Sequence, residues 1–376
     1  MTRNLFYGAV PSRTTRSHFS AGLLRRALGL ALGLAFGAAA VSAQTPASIL
    51  NHLGSPQVLS TVPSNGDVNP YGVAFVPAGF PTSGLLKPGD ILVSNFNNAQ
   101  NLQGTGTTIV QFRAGQQSLF FQDSNTPGLS TGLAVLKAGF VLVASMPTAD
   151  GTSNTVKPGS LMAINPNGQV VWTLTGKQYI DGPWNMTVYD QGSKATIFVS
   201  NVLNGSINRI EIGISHGAIA LLNSTTISSG YGHRGDPAAL EVGPTGLAYD
   251  AVRDTLYVAA SFENAIYAIP DASTVAANGG KGFRIYADNL HLHGALAMTL
   301  APNGNLIVSN SDVINSVPAQ PSELVEFTRG GVFVASHSVD PNQGGSFGLA
   351  FGLVNGVETL AAVDDNTSSL QVFTIQ

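Results

Sequence analysis

Cysteine is missing from all 376 residues. Its absence excludes disulfides, thiolate metal sites, a thiol nucleophile and the lipidated cysteine of a bacterial lipoprotein. Charge is sparse too, at 10% of residues, and unevenly placed. Arg3, Arg13, Arg16, Arg25 and Arg26 all precede residue 44. With these five of the 17 basic residues and none of the 21 acidic ones in that stretch, the remainder carries 12 basic against 21 acidic residues, a net charge near −9. A surface of that kind has no Lys/Arg stripe to neutralise phosphates, so nucleic acid and anionic lipid are not expected as partners. Also lacking are sustained apolar spacing at three and four residues, which an amphipathic helix requires, and a phosphate-cradling Gly loop.

The five arginines precede an apolar run, ALGLALGLAFGAAAV at 27–41, and Val41-Ser42-Ala43 supplies small residues where signal peptidase cuts. This is the layout of a removable export signal over 1–43, and it places the mature chain in the periplasm or outside the cell. The run is short, Gly- and Ala-rich and not followed by basic residues, unlike a membrane anchor. A monomer free of the membrane is expected after cleavage.

What the rest of the chain has in abundance is one phrase, used six times. Its first half reads YGVAF (71–75), TGLAV (131–135), WNMTV (184–188), TGLAY (245–249), LAMTL (296–300) and FGLAF (347–351). Its second half reads ILVSN (91–95), VLVAS (141–145), IFVSN (197–201), LYVAA (256–260), LIVSN (306–310) and LAAVD (360–364). The second residue of each first half is a convenient mark: Gly72, Gly132, Asn185, Gly246, Ala297 and Gly348, at intervals of 60, 53, 61, 51 and 51. Short apolar strands between turns at this period predict an all-β, six-bladed β-propeller over 56–376, with 44–55 as an N-terminal segment. Blade one is expected at 71–76, 90–95, 107–113 and 118–122, and blade four at 246–250, 255–260, 264–269 and 282–286. The last blade shows only 347–353, 359–363 and 369–375. The lone run PQVLSTV at 56–62 is therefore expected to supply its fourth strand, since an open edge would invite aggregation.

The segments TGLAYDAVRDTLYVAA (245–260) and AMTLAPNGNLIVSN (297–310) resemble NHL-type propeller repeats. That architecture is shared with the senescence-marker/gluconolactonase and strictosidine-synthase families. The resemblance implies that first strands line a central channel, and that loops entering them share one face with loops after the second strands. On that face 96–106, 146–159 and 311–321 are long, as is the entry 224–243, whereas 202–205 and 261–263 are short. Insertions gathered on one face mark a binding face.

The resemblance also implies where a lactonase metal would sit, on Glu, Asn and Asp side chains just before the marks. Those positions here hold Tyr71, Thr131, Trp184, Thr245, Leu296 and Phe347. None is a carboxylate or amide, and a hard divalent cation needs several oxygen ligands. Tyr71, Trp184 and Phe347 are instead expected to converge on one channel mouth. There they would either plug it or offer flat surface to a small molecule, a glycan or a protein side chain. Asn95, Ser145, Asn201, Asn310 and Asp364 end the second strands as a broken ring, suited to capping turns and to holding ligand hydroxyls. Asp181, His233 and His293 lie on entry loops, near His291. They define the alternative, a metal-dependent hydrolase or lyase such as the amidating lyases with this propeller. Non-catalytic binding is the favoured reading, with a divalent cofactor left open by the alternative. Gly344–Phe347 with Gly348 matches a serine-hydrolase elbow only superficially, because it leads into a strand. Arg234-Gly235-Asp236 resembles an integrin-binding tripeptide and is read as a chance match in a Gly-rich loop.

Overall fold

The computed structural model describes residues 47–376 apart from 124, 126, 312, 313 and 317–319. The leader expected over 1–43 lies outside the described residues. The propeller is built around second strands buried on both faces. In the second strand of blade three, Lys194–Asn201, Ile197 and Val199 pack towards blade two while Phe198 packs towards blade four. Alternate side chains of one strand thus serve two different cores, so the second strands read as continuous apolar runs.

Among the described residues, six four-stranded antiparallel sheets and one two-stranded hairpin result. The innermost strands are Val68–Phe75, Leu129–Leu136, Pro183–Asp190, Pro244–Asp250, Ala295–Leu300 and Ser346–Val354. Each packs on the next, and the last returns to the first. A separate apolar cluster fills each of the six gaps between neighbouring blades. The protein is therefore a closed six-bladed β-propeller.

The repeated phrase has a structural cause. In every blade the pairing of first and second strands slips within the two or three residues around the mark. The amides freed there need new acceptors. In blades one, three and five the serine of the second half accepts from the marked residue: Gly72 N to Ser94 Oγ at 3.1 Å, Asn185 N to Ser200 Oγ at 3.0 Å and Ala297 N to Ser309 Oγ at 2.9 Å. Small marks also let inner strands approach one another. A Cβ on Gly348 would stand 1.6 Å from the Tyr71 carbonyl oxygen, and one on Gly246 2.6 Å from the Met298 amide nitrogen.

The ring closes as the lone strand anticipated. Gln57–Ser60 runs antiparallel to the final strand, with Gln57 opposite Val372 and Ser60 opposite Ser369. The preceding segment tightens this seam. Leu50 joins the core between blades five and six, and the fully buried Glu326 accepts hydrogen bonds from Ser48 Oγ and from the Ile49 and Leu50 amides.

One stretch departs from expectation. The entry 224–243 is not one loop: the outermost strand of blade three extends over Ala218–Ser229, and Arg234–Asp236 pairs with Leu240–Val242. Its β-branched residues Thr225, Thr226 and Ile227 favour continued pairing over a turn. Arg234-Gly235-Asp236 is accordingly a strand of this hairpin, with Arg234 and Asp236 ion-paired at 2.7 Å.

Candidate functional site

Tyr71, Trp184 and Phe347 do meet. The Trp184 indole N–H donates to the Tyr71 hydroxyl at 2.6 Å, with the rings edge to face at 5.7 Å. Phe347 tilts on Tyr71 at 5.3 Å, and Phe96 stands 6.3 Å from Trp184. Tyr71 and Trp184 are each only 2% exposed, and Phe347 is half-buried. Met146, Val202, Leu240 and Leu296 complete this cluster. Burial drives the Tyr71 hydroxyl far above its ordinary pKa, outweighing the opposing effect of the Trp184 bond, so it stays neutral.

Above the rings lies a cavity of about 170 Å³, bordered by Tyr71, Phe96, Trp184 and Phe347. Beneath them the channel continues as a second space of about 230 Å³, which Tyr71 also borders. The aromatic layer therefore plugs the channel and floors a mouth at once. The two roles weighed from sequence are one arrangement.

The walls come from the elaborated loops. Gln103 belongs to the loop after the second strand of blade one, Ile314 to that of blade five, and Ala238 and Ala239 to the hairpin entering blade four. Blade two adds Met146 and Val156 to the aromatic cluster beneath. The long insertions thus gather around one mouth.

Polar side chains on its lining are Asn69, Gln103, Ser311, Gln343, Asp365 and Asn366, none of them among the candidate residues of the sequence. Asn69, 9% exposed, has a left-handed backbone, φ 59°, and its Oδ1 has no hydrogen-bond partner. Gln343 Nε2 is likewise buried without an acceptor. The Asp365 carboxyl is pushed up to about 7, first by burial and then by neighbouring Asp364. The Asn69-Pro70 dipeptide is a turn signal that could have drawn attention to Asn69. Nothing local marks the other two.

The strand-end ring is a set of caps. Asn201 Oδ1 accepts from the Asp181 amide at 2.9 Å, and Asn310 Oδ1 accepts from the His293 amide at 3.0 Å while its Nδ2 donates to the His291 carbonyl at 2.8 Å. Asn95 Nδ2 donates to the Thr61 carbonyl at 3.0 Å, next to the closing strand. Asp364 Oδ2 accepts from Thr367 Oγ1 at 2.6 Å, and Ser145 Oγ donates to the Pro127 carbonyl at 3.2 Å. All five are buried, and none borders the cavity.

Asp181, His233 and His293 are held apart. Among the described residues no three His, Asp or Glu side chains gather as a metal-holding group. Asp181 lies 3.8 Å from Lys177 Nζ, whereas His233 is exposed against Gly205 and Gly243. His293 is fully buried, with its Nε2 3.3 Å from the Leu290 carbonyl and its Nδ1 unpartnered. The three sit on successive entry loops of blades three, four and five and form no such group.

Closed ring, plugged channel and loop-built mouth together define a six-bladed β-propeller of the broad type found in several enzyme and binding families. No protein-family model matches the sequence, and no functionally curated protein does. Solved structures do match in fold. A gluconolactonase from Xanthomonas campestris aligns at TM-score 0.54 and 14% identity, over 86% of this chain and 91% of that one. Regucalcin, a calcium-binding protein from Agrobacterium tumefaciens, aligns at TM-score 0.51 and 11% identity, over 86% and 95%. At such identities the likeness extends to the fold alone.

Proposed function

We propose that this is an exported binding propeller, which holds a small molecule at the aromatic-floored mouth of its channel and performs no chemistry on it. The supporting observation is coincidence: the one aromatic cluster on the axis, the long insertions and three unsatisfied or perturbed polar groups all border the same cavity. Concave, mostly apolar pockets with a few convergent polar groups are the usual form of small-ligand sites. The lactonase-like neighbours do not transfer their activity. The positions before the marks hold no carboxylate or amide, and Asp181, His233 and His293 do not converge.

A fluorescence titration tests this reading. The chain has two tryptophans, Trp172 on the outer strand of blade two and Trp184 in the floor. In a Trp172→Phe protein, emission reports the mouth alone. Saturable change on adding phenol or toluene, lost in Phe347→Ala, is the expected result. Linear, unsaturable quenching by both probes would dismiss the reading.

A further inference from the structure

The two unpartnered amide groups narrow the ligand class, on the basis that the mouth is the binding site. We infer that the cavity takes an uncharged, planar, single-ring molecule carrying an adjacent hydrogen-bond donor and acceptor, of the primary carboxamide or lactam type.

Size sets the first limit. An apolar cavity of about 150 Å³ accommodates benzene, and this one is about 170 Å³. One ring with a small substituent fills it, and anything larger must extend out of the mouth. Shape sets the second. The floor offers the half-buried ring of Phe347, with the buried Tyr71, Phe96 and Trp184 packed around it, and a flat ring can stack or stand edge-on there.

Polarity sets the third. Asn69 Oδ1 can only accept and Gln343 Nε2 can only donate, and both are buried without partners. A buried polar group left unpaired costs roughly 1–3 kcal/mol, so each is a standing penalty that a matching ligand removes. Both atoms are turned away from the open space, so each side chain rotates to meet a ligand: a ligand N–H would then donate to Asn69 Oδ1, while its carbonyl would accept from Gln343 Nε2. The left-handed backbone at Asn69 supports a purpose, since strained positions cluster at ligand sites.

Charge sets the fourth. Asp365 borders the cavity with Asp364 beside it, and among the described residues no Lys or Arg lines the same space. A carboxylate ligand would enter a site with no cation to receive it.

The test uses the Trp172→Phe sensor with benzamide, benzoate and toluene at pH 7.5. Benzamide is expected to bind about tenfold or more tightly than toluene, and benzoate not to saturate. Asn69→Gly keeps the left-handed backbone and removes the acceptor, and Gln343→Met keeps the length and removes the donor. Each should lower benzamide affinity several-fold with toluene unchanged, whereas Phe347→Ala should weaken both. If toluene saturates but benzamide shows no advantage, or benzoate binds best, the amide-type ligand is overturned while the binding site stands. If no probe saturates, both readings fall.

Discussion

The Trp184 indole nitrogen donates to the Tyr71 hydroxyl at 2.6 Å, tying the inner strand of blade three to that of blade one across the channel axis. These strands are not neighbours in the ring, because that of blade two stands between them. A single hydrogen bond therefore braces the mouth. Trp184→Phe leaves the buried Tyr71 hydroxyl without its donor, and Tyr71→Phe leaves the indole N–H without its acceptor. Each should lower stability by about 1–3 kcal/mol. The double variant removes both polar groups and should cost about 1 kcal/mol less than the sum. Urea unfolding of the four proteins measures this, and strict additivity would show the pair uncoupled.

Gly348 is the tightest point between blades six and one. An added Cβ would lie 1.6 Å from the Tyr71 carbonyl oxygen, a backbone atom that cannot swing aside. Gly348→Ala should therefore destabilise the ring by about 3 kcal/mol, at the upper end of overpacking costs. Ala297 is the control, since blade five already accommodates a Cβ at the equivalent mark. Ala297→Gly should cost about 1 kcal/mol or less, mainly through backbone entropy. Thermal melts that ranked the two variants equally would contradict the steric account.

The seam between chain ends can be opened by truncation. Without residues 1–60 the strand Ser369–Thr374 loses its outer partner while keeping Val357–Asp364, and Glu326 loses Ser48, Ile49 and Leu50 as donors. An unpaired strand edge and a buried carboxylate left with only the Asn303 and Asn305 amides as donors are both costly. Concentration-dependent association in size-exclusion chromatography is the expected outcome. A truncated protein that eluted as a monomer and melted at the parent temperature would show the seam to be dispensable.

The sequence revealed what depends on local repetition. Blade number, the closing strand and most strand positions follow from runs such as Ile197–Val199, which are buried on both faces in every blade and so recur in the same form. The strand Ala218–Ser229 was cut short because its polar, solvent-facing residues resemble a loop until the partner strand is seen. The aromatic floor was legible because Tyr71, Trp184 and Phe347 occupy one position of the repeat. Asn69, Gln343 and Asp365 were not, because each matters only through neighbours from other blades. Asn201 and Asn310 illustrate the converse. They repeat as a functional ring would, yet their side chains are spent on the entry-loop amides of Asp181 and His293.

Asp365 gives the mouth a pH dependence of definite sign. Its carboxyl is pushed up to about 7 in the folded protein by burial, with Asp364 adding repulsion, while an unfolded aspartate titrates near about 3.9. Between these values the folded state holds the proton more tightly than the unfolded state. Stability from this group therefore falls as pH rises from about 4 to about 7, and the full penalty persists above. Glu241, also raised to about 7 by burial and by Asp236, acts in the same direction. An Asp365→Asn protein cannot ionise there, and its melting temperature should exceed the parent's at pH 8.5. At pH 4.5, where the parent carboxyl is protonated, the advantage should largely disappear. Asp364 carries its own upward shift, caused first by its burial and then by repulsion from Asp340. Equal melting differences at the two pH values would mean that Asp365 is already charged in the folded protein, held by solvent rather than by the apolar floor.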